Sequence, residues 1–132
     1  MADPITDDDY RALAEFRRQL RTFLSFSEQA ASAAGITPQQ HQALLALRGA
    51  PGMTLSVGAL ADHLRLRPHS ATGLVDRLEK LDLICRTSGD DRRKMMIGLS
   101  PAGMEKIRDL TTAHRAELRR LRPLLMDMLS AL

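Results

Sequence analysis

One break in period constrains this chain more than any other feature. From residue 10 to residue 81, and again from residue 104 onward, apolar residues recur at spacings of three and four, the buried stripe of amphipathic helices. Between 83 and 99 that spacing gives way to two short runs, Leu83-Ile84-Cys85-Arg86-Thr87 and Lys94-Met95-Met96-Ile97-Gly98-Leu99. The polar stretch Ser88-Gly89-Asp90-Asp91-Arg92-Arg93 joins them, so they read as a hairpin with a charged tip. The expected fold is mainly α with a small β-hairpin.

Capping and breaking residues cut the helical part into pieces. Thr6 before Asp7, Asp8 and Asp9 is a helix start: the hydroxyl caps free N–H groups and the carboxylates suit the positive end of the dipole. Tyr10, Leu13, Phe16, Leu20, Phe23 and Leu24 form the stripe of a long helix running to about Ala34, where Gly35 supplies the stop. Thr37-Pro38-Gln39-Gln40 is a capping box with Pro at the first helical position, and the helix it opens should bury Ala43, Leu44 and Leu47. Gly49-Ala50-Pro51-Gly52 ends that helix, and Met53-Thr54-Leu55 has room only for a minimal strand. Ser56 caps a helix carrying Leu60, Ala61 and Leu64. After Arg65-Leu66-Arg67, Pro68 opens another, with Ala71, Leu74, Val75, Leu78 and Leu81 on one face. Two short helices so joined form a helix-turn-helix. Ser100-Pro101 begins a long helix striped by Met104, Ile107, Leu110, Leu118 and Leu121. Pro123 is expected to interrupt it and open a short last helix bearing Leu125, Met128, Leu129 and Leu132.

Composition narrows the function classes. With aromatic residues at 3% and no Trp, the core must come from Leu, Ala, Met, Ile and Val. No apolar run approaches the ~18 residues of a membrane span, and Met1-Ala2-Asp3-Pro4 is unlike a signal peptide, so a cytoplasmic location without a membrane partner is expected. Cys85 stands alone, which excludes an internal disulfide framework, and it reads as a buried or half-buried structural thiol. His41, His63, His69 and His114 lack ligand spacing, so neither a metal nor another cofactor is expected. With no phosphate loop, nucleophile elbow or framed carboxylate pair, no enzyme is expected. Residues 1–62 hold five Lys/Arg against seven Asp/Glu, whereas residues 63–97 hold eight against five. A basic middle third can attract a polyanion.

The order helix, helix, strand, helix-turn-helix, hairpin, long helix resembles the MarR family of bacterial regulators. Ser70-Ala71-Thr72-Gly73-Leu74-Val75-Asp76-Arg77-Leu78-Glu79 is similar to that family's recognition helix. Leu83-Ile84 followed by Asp91-Arg92-Arg93 resembles its wing, and Leu99-Ser100-Pro101-Ala102-Gly103 the segment that closes the wing and opens the dimerising helix. The chain departs from the pattern at Asp82, where Gly is usual, at Gly73, where a longer polar side chain is common, and at Arg67, where a Ser cap is common. Asp tolerates the left-handed backbone better than most residues, so the turn at Asp82 should survive.

The resemblance implies a winged helix-turn-helix with N- and C-terminal dimerisation helices. It spans residues 7–132, with a core at about 37–99 between helices at about 7–34 and 101–132. It implies a ligand-responsive repressor that binds double-stranded operator DNA, pseudo-palindromic, as a homodimer. The alternative is a winged-helix protein-interaction module without DNA binding. Pro68, His69, Ser70, Thr72, Gly73 and Arg77 would face the major groove, where base edges carry a readable code. Asp91, Arg92, Arg93 and Lys94 would form the wing, with Asp91 bracing Arg93 toward the minor groove. Arg65, Arg67, Lys80, Arg86 and Lys94 would contact phosphates. Tyr10, Leu13, Leu20, Leu110, Leu118, Leu121 and Leu125 would pack across a two-fold axis. A small aromatic or phenolic effector would approach Phe16, Arg17, Arg18, His41, Met104 and Arg108.

Overall fold

The computed structural model describes residues 3–88 and 95–132. The chain runs α1 (Asp7–Ala33), α2 (Pro38–Gly49), a 3-10 turn (Pro51–Met53), β1 (Thr54–Ser56), α3 (Val57–Leu64), α4 (Pro68–Lys80), β2 (Ile84–Ser88), β3 (Met95–Leu99) and α5 (Pro101–Ser130). It is mainly helical, with one antiparallel sheet ordered β1-β3-β2. Ile97 on the central strand faces Leu55 on one side and Arg86 on the other. An isolated hairpin is marginal in water, and the three residues of β1 supply the extra strand. Met53, read from sequence as the first strand residue, belongs to the turn instead. Gly52 and Met53 both have positive φ, 67° and 57°, and this left-handed pair turns the chain before pairing begins.

The capping residues set the boundaries as the sequence suggests. Thr6 and Asp9 close one capping box, and Thr37 and Gln40 a second, with hydrogen bonds of 2.9–3.3 Å. Ser56 accepts from the Ala59 N–H and Ser100 from the Gly103 N–H. Arg67 gives α4 no side-chain cap, so that helix starts on Pro68. α1 and α4 end alike. Gly35 (φ 81°) and Asp82 (φ 58°) turn left-handed, while Ile36 N–H reaches Ala31 O at 3.0 Å and Leu83 N–H reaches Leu78 O at 3.1 Å.

The core gathers Leu44 and Leu47 of α2, Leu60 of α3, Leu74, Val75 and Leu78 of α4, Ile84 and Ile97 of the sheet, and Ile107 of α5. Leu81, read as part of the inward stripe of α4, is exposed, because α4 ends at Lys80 and the chain swings away through Asp82. α1 lies antiparallel along α5: Lys106 Nζ donates to Ala34 O at 2.6 Å, and His114 Nε2 meets Ser27 Oγ at 2.8 Å.

One expectation about the long helices changes. Pro123 does not end α5, which continues through it to Ser130. Leu121, Leu125 and Met128 keep one inward phase across the proline while Pro123 itself is exposed, so packing on either side holds the helix despite one missing backbone hydrogen bond. The apolar stripe of α1 faces inward only in part, through Phe23, which meets His114. Ala12, Ser27 and Ala31 are buried, whereas Tyr10 is 67% and Leu13 56% exposed.

Candidate nucleic-acid interface

α3 and α4 are held by what they bury, which decides what α4 presents. Ala71, Leu74, Val75 and Leu78 are buried, so Pro68, His69, Thr72, Asp76 and Arg77 turn outward, and Ser70 and Gly73 are half-buried at the edge. The Thr72 hydroxyl donates to Pro68 O at 3.0 Å, which leaves its lone pairs and methyl for a partner. The Arg77 guanidinium lies back along the helix, with Nη1 3.5 Å from where a Cβ on Gly73 would stand. A Cβ at 73 would stand in ordinary van der Waals contact with that flexible guanidinium. Arg65, Arg67 and Lys80 are exposed around this face. Arg65 takes a left-handed conformation (φ 55°) that ends α3.

Arg86 is placed differently from the expectation that it touches phosphate. From β2 its Nε donates to Glu79 Oε2 at 3.0 Å, and its Nη2 binds Asp76 Oδ1. Asp91, Arg92, Arg93 and Lys94 lie outside the described residues. Cys85, expected to be at least half-buried, is instead exposed on β2.

Tyr10, Leu13 and Leu20 of α1 and Leu118 of α5 are exposed, Leu125 is half-buried, and Leu110 and Leu121 (1% exposed) are buried within the protomer.

A second feature lies where α1, α2 and α5 meet. A cavity of about 710 Å³ is lined by Phe23, His41, Leu45, His114, Leu118 and Leu125, with Arg115, Arg119 and Arg122 also on its wall. The His41 and His114 rings pair at 4.8 Å between centroids, and Phe23 and Phe26 meet His114 edge-on. His114 Nδ1 is 2.6 Å from Leu110 O. A carbonyl only accepts, so Nδ1 carries the proton, and in the neutral ring Nε2 accepts from Ser27. His41 is 2% exposed and its Nδ1 has no partner among the described residues. Burial, and then the charge of His114, push its pKa below the usual imidazole value. Of the side chains expected at an effector crevice, His41 alone lines this cavity. Met104 and Arg108 line a separate, more polar groove on α5, and Arg18 another with α1 residues. Sequence reasoning passed over His114, whose meaning depends on meeting α1 and α2 in space.

Comparison with known proteins fits this geometry. A sequence model described as the MarR family matches residues 34–94. No curated protein sequence matches the chain. Among solved structures, AbsC from Streptomyces coelicolor, a MarR family transcriptional regulator, superposes with a TM-score of 0.71 at 22% identity, over 90% of this chain and 81% of that one. YusO from Bacillus subtilis gives 0.70 at 26% identity, over 96% and 92%. MepR from S. aureus in complex with DNA gives 0.67 at 23% identity, over 89% and 98%. Residues 34–94, which hold the helix-turn-helix, thus resemble the MarR family, and the whole chain takes the fold seen in solved MarR-family regulators.

Proposed function

We propose that this chain is a DNA-binding transcriptional regulator, a homodimeric repressor that places α4 in the major groove of each half of a pseudo-palindromic operator. The observation that carries the reading is the two-sided character of α4. Its inner face is sealed in the core, and its outer face offers His69, Ser70, Thr72 and Arg77 with no carboxylate in the first two turns. A helix so mounted can enter a groove about 12 Å wide. The likeness to MepR, solved bound to DNA, supports it. Asp91, Arg92, Arg93 and Lys94, between β2 and β3, would reach the neighbouring minor groove. The exposed apolar residues Tyr10, Leu13, Leu20 and Leu118 would meet a second copy, with Leu125 at the edge of the contact and Leu110 and Leu121 supporting from beneath. A two-fold dimer presents two reading helices to two half-sites.

The cavity beside His41 and His114 lies within the range of small-molecule sites, roughly 300–1,000 Å³, and its apolar wall suits a small aromatic effector. It spans both the long helices and α2, so an occupant would change how the helix-turn-helix sits on the dimer. Fluorescence anisotropy on duplexes selected from a random pool, over a salt series, tests the DNA reading. Binding should favour selected over random duplex and weaken steeply with salt. A chain that binds no duplex would point to a protein-interaction module instead.

A further inference from the structure

We propose that Arg86 is a positioning residue for DNA contact: from β2 it clasps Asp76 and Glu79 of α4, and so both fixes the helix against the strand and cancels the negative charge the helix would turn toward phosphates. This rests on reading α4 as the DNA-facing helix. Within α4 the charged residues are Asp76, Arg77, Glu79 and Lys80, which sum to zero. A helix neutral on its own gains no net charge attraction from a polyanion, and its two carboxylates sit one turn apart on one face. Arg86 tips this unit to a net positive charge by spanning both carboxylates, Nε to Glu79 at 3.0 Å and Nη2 to Asp76. A guanidinium holds two acceptors in a fixed fork, which a lysine ammonium does not.

The clasp is also mechanical. Arg86 stands opposite Ile97 in the sheet, and β2 leads directly into residues 89–94. One side chain thereby ties the root of that segment to the C-terminal half of α4. Val75, Leu78, Ile84 and Ile97 belong to a hydrophobic core that many other residues share, so loss of the clasp should change pose and charge without unfolding that core.

Duplex titrations of Arg86→Ala, Arg86→Lys, Asp76→Asn/Glu79→Gln and the triple variant Arg86→Ala/Asp76→Asn/Glu79→Gln test this, each variant first checked for an unchanged melting curve. Arg86→Ala should weaken binding by about tenfold, as when a charge-assisted hydrogen-bond partner is removed, and Arg86→Lys should recover only part. In the triple variant binding should return to within about twofold of the Asp76→Asn/Glu79→Gln pair, because the acids that needed a partner are gone. If the loss persists there and the salt slope falls by about one ion, Arg86 touches phosphate directly and the clasp is overturned. Arg86→Ala binding like the wild type also overturns it. A wild-type chain that binds no duplex removes the DNA reading and this proposal together, an outcome distinct from the others.

Discussion

At Gly103 the first turn of α5 passes so close to the end of α4 that a Cβ there would stand 2.0 Å from Leu83 O. Ser100 knits the same joint: its hydroxyl donates to Asp82 O at 2.6 Å and accepts from the Gly103 N–H, while its N–H reaches Leu83 O at 3.0 Å. The sequence Leu99-Ser100-Pro101-Ala102-Gly103 announces a helix start, but the need for Gly at its end comes from a backbone 20 residues away. Gly103→Ala should therefore destabilise the fold by about 1–3 kcal/mol or more, read from urea midpoints. His41 gives a pH prediction. Its folded pKa lies below the ordinary value because burial, and then His114, disfavour the charged ring. The unfolded chain therefore binds the proton better. The contribution of neutral His41 is present above the unfolded pKa, ~6.5, and is lost as pH falls below it. Urea midpoints should drop between pH 7.5 and 5.5, and His41→Leu should flatten that drop. The ion-paired Glu15 titrates from about 2, far below this window, and does not contribute to it.

At the scale of elements, α5 is the instructive case. Pro123 lacks the N–H that would meet Arg119 O, yet the helix spans Pro101–Ser130. A proline inside a helix costs about 3 kcal/mol against alanine, so the flanking contacts of Leu121 and Met128 must outweigh it. Pro123→Ala should raise the melting temperature, since it restores the bond at an exposed position without touching the packing. A fall would mean the proline shapes α5 for an interface. α4 is the opposite case, read correctly along its inward face because Ala71, Leu74, Val75 and Leu78 follow one stripe. Its last position failed, because the inward phase of Leu81 means nothing once Asp82 has turned the chain.

For the whole molecule, the division between inner and outer apolar faces carries the assembly reading. Leu13 is 56% exposed and Leu121 is 1% exposed, although both lie on stripes of helical period. Leu121→Ala should cost about 2–5 kcal/mol of stability, because a buried side chain leaves a cavity. Leu13→Glu should leave helical content intact and halve the sedimenting mass from a dimer of the 14.6 kDa chain. Equal behaviour of the two variants would remove the proposed dimer face.

The sequence by itself determined the kind of most elements and where they begin. Period, capping boxes, Pro at first helical positions and the left-handed stops at Gly35 and Asp82 act over a few residues, and such local physics is written in the chain. The inward face of α4 was legible for the same reason. Tertiary structure decided which apolar stripe of α1 faces in, whether α5 survives Pro123, and that Arg86 serves two carboxylates. It also brought His41 to His114 across 73 positions. Each of these is a balance between contacts of residues distant in the chain, and no periodicity encodes which of two apolar faces will find a neighbour.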